Sequence, residues 1–378
     1  MRSQPPRPTA LFTLARQLAT GEGARHVVTQ APGWWRRRMR LHHIPHGPVH
    51  AVDATSGPPI LITGATGTLG RAFARLCELR GLPFCLLGRA ELDIADEHAV
   101  AQALMRWQPW AIVNTAGFVR VDEAEANPRQ WRENVTGAEV LARACQAHGV
   151  QLVSFSSDLV FDGRCQRPYV ESDPPAPLNA YGRGKAAAEA AILHHCPAAL
   201  VVRTAAFFGP WDEHNFVTQG LQRLRRGEAW GAPDDQIVSP TYVPDLVQAT
   251  LDLLVDAEQG IWHLCNQGQV SWHDLACQAA EMAHLDTGLV RRIASAALML
   301  PAQRPAYSAL GSARGLLLPS LDEGLRQYFT HRQASEVDDT RDADAAIKHA
   351  RACGLLSALQ APAIWLTPFE RNKERKVT

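Results

Sequence analysis

Between Pro58 and Gly209 the chain alternates short apolar runs with longer segments of helical spacing. The runs PPILIT, PFCLL, PWAIVN, VQLVSFS and AALVVRT are short and almost uniformly apolar, the pattern of strands buried on both faces. Between them stand TLGRAFARLCELRG, DEHAVAQALMRWQ, PRQWRENVTGAEVLARACQAHG and AYGRGKAAAEAAILHH, whose apolar positions recur at helical intervals. Strand and helix in alternation predict an α/β fold built on a doubly wound parallel sheet. Ligands of such sheets bind at the carboxyl ends of the strands, so those ends are where chemistry is sought.

Four such ends carry it. TGATGTLG follows the first strand and supplies Gly64, Gly67 and Gly70, with Thr68 and Leu69 opening the next helix. Small residues there let the backbone turn tightly and bring a pyrophosphate onto the helix N-terminus, although the spacing is GxxGxxG rather than GxGxxG. After the second strand, LLGRAELDIAD offers Arg89 where an acidic residue would grip the ribose 2′-hydroxyl of NAD. An arginine accommodates a 2′-phosphate, which favours NADPH and leaves NADH as the second choice; Asp93 and Ile94 come to the adenine edge. NTAG closes the third strand, where Thr115, Ala116 and Gly117 leave room for the cofactor. SFSSD ends the fourth with Ser156, Ser157 and Asp158, just before the helix that bears Tyr181 and Lys185. Positions i and i+4 share a helix face, so phenol and ammonium point into one cleft. A nearby cation favours phenolate and lowers the phenol pKa from about 10, making a tuned proton donor.

Composition narrows the class. The chain has 378 residues, 46% of them hydrophobic and 20% charged, with zero formal net charge. Nothing global points to nucleic acid or a membrane surface, and no apolar run reaches the roughly 18 residues of a membrane helix. The start lacks a secretory signal, and the eight cysteines form no CxxC pair. Reduced, buried thiols in a cytoplasmic protein are the reading. Residues 1–52 differ from the rest, with eight arginines against Glu22 alone. That basic segment is an N-terminal extension and linker through residue 57, suited to docking on another domain, protein or anionic partner.

Together the blocks TGATGTLG, ELDIAD, ENVTGAEVLARAC, SSDLVFDG, PLNAYGRGKAAAE, VVRTAAFFG, DDQIVSPTYVPDLV and RPAYSAL resemble the extended short-chain dehydrogenase/reductases, within them the dTDP-4-dehydrorhamnose reductase family. The resemblance runs from about Pro58 to about Phe329. It implies a Rossmann-like domain over 58–205, a smaller C-terminal substrate domain over 206–330, and a charged tail over 331–378. It implies NADPH-dependent reduction of a nucleotide-linked 4-keto-6-deoxy sugar, dTDP-4-dehydrorhamnose to dTDP-L-rhamnose, and a homodimer. Tyr181 would be the general acid, Lys185 would bind the nicotinamide ribose, and Ser157 would polarise the ketone. Asp158 and Asn215 would contact the substrate, and Asn134 would be structural and relay a proton. Gly182 and Gly184 would let a ligand approach the catalytic turn.

The chain also departs from the family pattern. Leu159 stands where a tyrosine is usual, and Ala205–Ala206 replace Ser–Trp, removing one wall of the sugar pocket. Pro244 falls at a place linked to magnesium in some members, so no metal is expected. A related epimerase shares the YxxxK pair. A non-catalytic NADP-binding regulatory subunit on the same fold is a further alternative. PGWWRRRMRL looks like the junction in some bacterial polypeptides that join a glycoside-hydrolase-like region to such a reductase domain.

Overall fold

The computed structural model describes residues 50–51 and 57–332; the basic segment before them and the charged tail after them lie outside the described residues. The central sheet contains β1 (His50–Ala51), β2 (Ile60–Thr63), β3 (Phe84–Leu87), β4 (Ala111–Asn114), β5 (Gln151–Ser157), β6 (Leu200–Thr204) and β7 (Gly260–His263). Their order is β1-β3-β2-β4-β5-β6-β7; β2 to β7 run parallel, and β1 adds antiparallel to the edge of β3.

Successive strand side chains point to opposite faces, and the apolar runs fill both. Ile60 and Ile62 meet Phe73 and Leu76 of α1 (Thr68–Arg80), together with Leu246 and Leu254 from residues 243–255. Leu61, Cys85 and Ile112 face the other way. They pack on Val100 and Leu104 of α2 (Glu97–Trp107), Leu141 of α3 (Gly137–His148) and Ile192 of α4 (Ala180–His195). Gly81 ends α1 in the left-handed region at φ 64, where its lack of a Cβ costs nothing. Asp96 caps α2 by accepting from the amides of His98 and Ala99.

The predicted helix over 128–149 differs in one turn. Arg132–Thr136 forms a π-turn before α3, and within it Asn134 is buried. The predicted strand over AALVVRTAAFFG also divides. β6 stops at Thr204, Ala206 takes a left-handed φ of 44, and Phe207–Phe208 pairs with Thr241–Tyr242 instead. The remaining elements include α5 (Phe216–Arg225), α6 (Val243–Val255) and α7 (Trp272–Met282). Phe208, Leu221, Tyr242, Leu275 and Leu325 make a separate apolar cluster there. No described helix is long and apolar enough to cross a membrane. The described cysteines are free, and burial pushes the Cys77 and Cys265 thiols up to about 12, which makes them inert.

Candidate active site

The turn from β2 into α1 forms a cradle. Gly64 has φ 84, and a Cβ on Gly70 would lie 2.4 Å from the Gly64 carbonyl oxygen, so neither position admits a larger residue unstrained. Gly67 at the N-cap offers no side-chain cap, and the first turn of α1 has no acidic residue. Its amides are therefore left for an outside anion, which is what a dinucleotide pyrophosphate requires. Thr115 Oγ1 donates to the Thr63 carbonyl at 2.5 Å, and the Ala116 amide donates to Thr63 Oγ1 at 3.3 Å. These bonds hold the NTAG turn beside the cradle. Gly117 lies against Asn134, whose amide group accepts from Phe118 N at 2.8 Å and donates to Phe118 O at 3.0 Å.

Arg89 follows Gly88 at the end of β3 with its side chain 52% exposed, and its Nη1 donates to Glu133 Oε1 at 2.6 Å. Asp93 is paired with Arg132 at 2.9 Å, and that hydrogen bond holds its carboxyl below the usual range. Ile94 is buried in the core against Gly137, where a Cβ would meet its Cδ1 at 2.7 Å. At this position only the backbone is left to edge an adenine.

On the catalytic side, Asn179 caps α4 by accepting from the Gly182 amide at 2.7 Å. The helix then places Tyr181 and Lys185 on one face, with Lys185 Nζ 5.7 Å from the Tyr181 ring centroid. Lys185 Nζ donates to the Phe155 carbonyl at 3.0 Å, which ties the helix to β5. Ser157 ends β5. Its Oγ accepts from Leu159 N at 3.1 Å and donates to Asp158 Oδ1 at 2.9 Å. Ser308 Oγ, from far along the chain, donates to Asp158 Oδ2 at 2.6 Å.

The electrostatics correct one expectation. Burial and then the Asp158 charge raise the Tyr181 phenol above its ordinary value, the reverse of the expected lowering. Lys185 is itself pushed down to about 8 by burial, offset in part by Glu189. Burial also lifts Asp158 to about 6, against the opposing hydrogen bonds of Ser308 and Ser157. Tyr181 is therefore a firmly held proton rather than a pre-formed phenolate.

The glycines of the catalytic turn need a second correction. A Cβ on Gly182 would lie 2.1 Å from the Leu159 carbonyl, and one on Gly184 would lie 2.6 Å from Gln130 Oε1. Both make room for the protein's own chain rather than for a ligand. Asn215 also has a structural duty. It caps α5, accepting from Thr218 N at 2.9 Å while its amide donates to Asp212 O at 2.6 Å and Thr218 Oγ1 at 2.9 Å. With both amide protons taken, it has only acceptor capacity left for a substrate.

Sequence reasoning passed over three residues that complete the site. Ser308 lies in the quoted RPAYSAL block without a role. Glu189, four positions after Lys185, binds Arg203 at 2.8 and 2.6 Å in a buried ion pair; its i+4 spacing was the available signal. Glu133 precedes Asn134 and holds Arg89, a contact between distant segments with no sequence signal.

Comparison with known proteins identifies the family. Residues 59–322 match the family model described as RmlD substrate binding domain. A dTDP-4-dehydrorhamnose reductase of Streptomyces griseus is 38% identical over 264 residues, covering 68% of this chain and 86% of that protein. Another, from Mycolicibacterium smegmatis, is 35% identical, covering 86% of this chain and 96% of its own. The solved dTDP-4-dehydrorhamnose reductase of Bacillus anthracis in complex with NADP has a TM-score of 0.69 at 30% identity, covering 72% and 99%. A Thermus thermophilus UDP-glucose 4-epimerase shares the fold, with a TM-score of 0.63 at 21% identity. The chain belongs to the dTDP-4-dehydrorhamnose reductase family of extended short-chain dehydrogenase/reductases.

Proposed function

We propose that the protein reduces the ketone of a nucleotide-linked 4-keto-6-deoxy sugar with NADPH, converting dTDP-4-dehydrorhamnose to dTDP-L-rhamnose. The observation that carries this reading is Lys185 Nζ 5.7 Å from the Tyr181 ring on α4 and bonded to the Phe155 carbonyl of β5, the strand that ends at Ser157. Relatives of this name and an NADP complex at 30% identity support the substrate and the cofactor.

Gly64, Gly67, Thr68, Leu69 and Gly70 would hold the pyrophosphate, Arg89 the 2′-phosphate, and Thr115 to Gly117 the inner half of the dinucleotide. NADPH, when bound, supplies the hydride that adds to the ketone carbon. The protein supplies the proton. As the carbonyl bond opens, its oxygen becomes an alkoxide, a much stronger base than phenolate, so Tyr181 gives up its proton despite its raised pKa. Lys185, with a pKa near 8, is mostly an ammonium at neutral pH, and its charge steadies the phenolate left behind. The product is the alcohol, with one hydride on carbon and one proton on oxygen. Ser157 joins in by turning its hydroxyl from Asp158 to the ketone. Residues 206–330, which send Ser308 into the site, would form the sugar-nucleotide side.

The test is consumption of NADPH, read by absorbance, when dTDP-4-dehydrorhamnose generated in place is added, with the product identified by NMR. Net consumption yielding dTDP-L-rhamnose supports the reductase; interconversion of sugars without net consumption indicates an epimerase. Firm NADPH binding with no turnover of any keto sugar leaves the regulatory-subunit reading.

A further inference from the structure

At the carboxyl end of β3, three arginines and two carboxylates share one patch. Glu133 Oε1 accepts from Arg89 Nη1 at 2.6 Å and from Arg129 Nε and Nη2 at 3.0 and 2.8 Å. Asp93 accepts two bonds from Arg132, at 3.2 and 2.9 Å, and Arg89 Nε lies 3.8 Å from Asp93 Oδ2. The carboxylates sit inward and the cations outward. The Glu133 side chain is 16% exposed, against 52% for Arg89 and 60% for Arg129. Burial opposes the charge on Glu133, but hydrogen bonds from Arg129 and Arg89 outweigh it and hold its carboxyl below the usual range. Glu133 is therefore an anion at neutral pH, already seated on the residue that a 2′-phosphate would use.

We propose that Glu133 moderates the preference for NADPH over NADH. This rests on the reading of Arg89 as the 2′-phosphate residue. A phosphate monoester brings close to two negative charges and three acceptor oxygens. To take Arg89 it must displace the Glu133 carboxylate, which keeps its two bonds to Arg129. The gain from the phosphate is reduced by the bond that Glu133 gives up and by the repulsion of a carboxylate left beside it. NADH has no such phosphate and demands no exchange. Glu133 thus moderates a selectivity that Arg89 creates.

The measurement is the ratio of the NADH and NADPH dissociation constants, found by calorimetric titration of wild type, Glu133→Gln and Arg89→Ala. Glu133→Gln is nearly isosteric and lies in a solvated patch. Its ratio is expected to rise about two- to fivefold, the range of a solvent-screened ion pair. An unchanged or lower ratio in Glu133→Gln, with selectivity lost in Arg89→Ala, overturns the role of Glu133 alone. A ratio retained in Arg89→Ala overturns the Arg89 reading, and the proposal with it.

Discussion

Replacing Asp158 by asparagine should make the protein more stable at neutral pH. The carboxyl is buried, and its pKa stands at about 6 against 3.8 in an exposed chain. The rise is about two pH units, and at 1.36 kcal/mol per unit the folded state bears a penalty of about 3 kcal/mol once the group is ionised. The sign follows from the raised folded value. The favourable balance is complete below about pH 4 and is lost as pH climbs through about 6. Asparagine keeps the geometry, since its carbonyl accepts from Ser157 while its amide donates to Ser308, and it never ionises. Urea unfolding of both proteins between pH 4 and 8 should give curves whose difference widens with pH, to about 3 kcal/mol in favour of the variant. A difference that stays constant with pH would refute the buried-carboxylate argument. A less stable variant at pH 8 would show that the hydrogen bonds outweigh the charge.

Other outcomes follow from the same geometry. Tyr181→Phe removes only the proton donor, so NADPH affinity measured by titration should hold while turnover falls by roughly 10²- to 10⁴-fold. Gly182→Ala would drive a Cβ to 2.1 Å from the Leu159 carbonyl. The clash should exceed the roughly 1 kcal/mol of helix propensity gained, so the urea midpoint should fall rather than rise. Glu189→Gln leaves Arg203 charged and 1% exposed without its partner, and should cost about 3–5 kcal/mol in the same assay. A change under about 1 kcal/mol would mean that Arg203 finds another anion.

The parallel sheet was legible because its strands are buried on both faces, which leaves uniform apolar runs such as ILIT and FCLL. The catalytic helix was legible in position as well, from Ala180 to His195, though its cap at Asn179 was not. Electrostatic direction was harder to read. Spacing places Lys185 near Tyr181, but only the folded protein shows that burial and Asp158 dominate the phenol. The π-turn at 132–136 and the break at Ala206 are set by tertiary bonds, Asn134 to Phe118 and Ala206 O to the Thr241 amide, which no local propensity encodes. The partnerships of Arg89 with Glu133 and of Asp158 with Ser308 join residues 44 and 150 positions apart, beyond any motif.

One short segment after residue 300 reaches back to three places. The Ala302 amide donates to Asp122, and Arg304 binds the same carboxylate through two nitrogens at 2.6 and 2.8 Å. The Gln303 carbonyl accepts from Asn179, the cap of α4, at 2.8 Å, and Ser308 reaches Asp158. The start of the catalytic helix and the end of β5 are thus laced by residues made long after them during synthesis. A growing chain that has completed α4 but not residue 308 holds Tyr181 and Lys185 without the bonds that fix the cap and the carboxylate beside them. A chain truncated before residue 302 would lack the bonds that Asp122, Asn179 and Asp158 make with this segment.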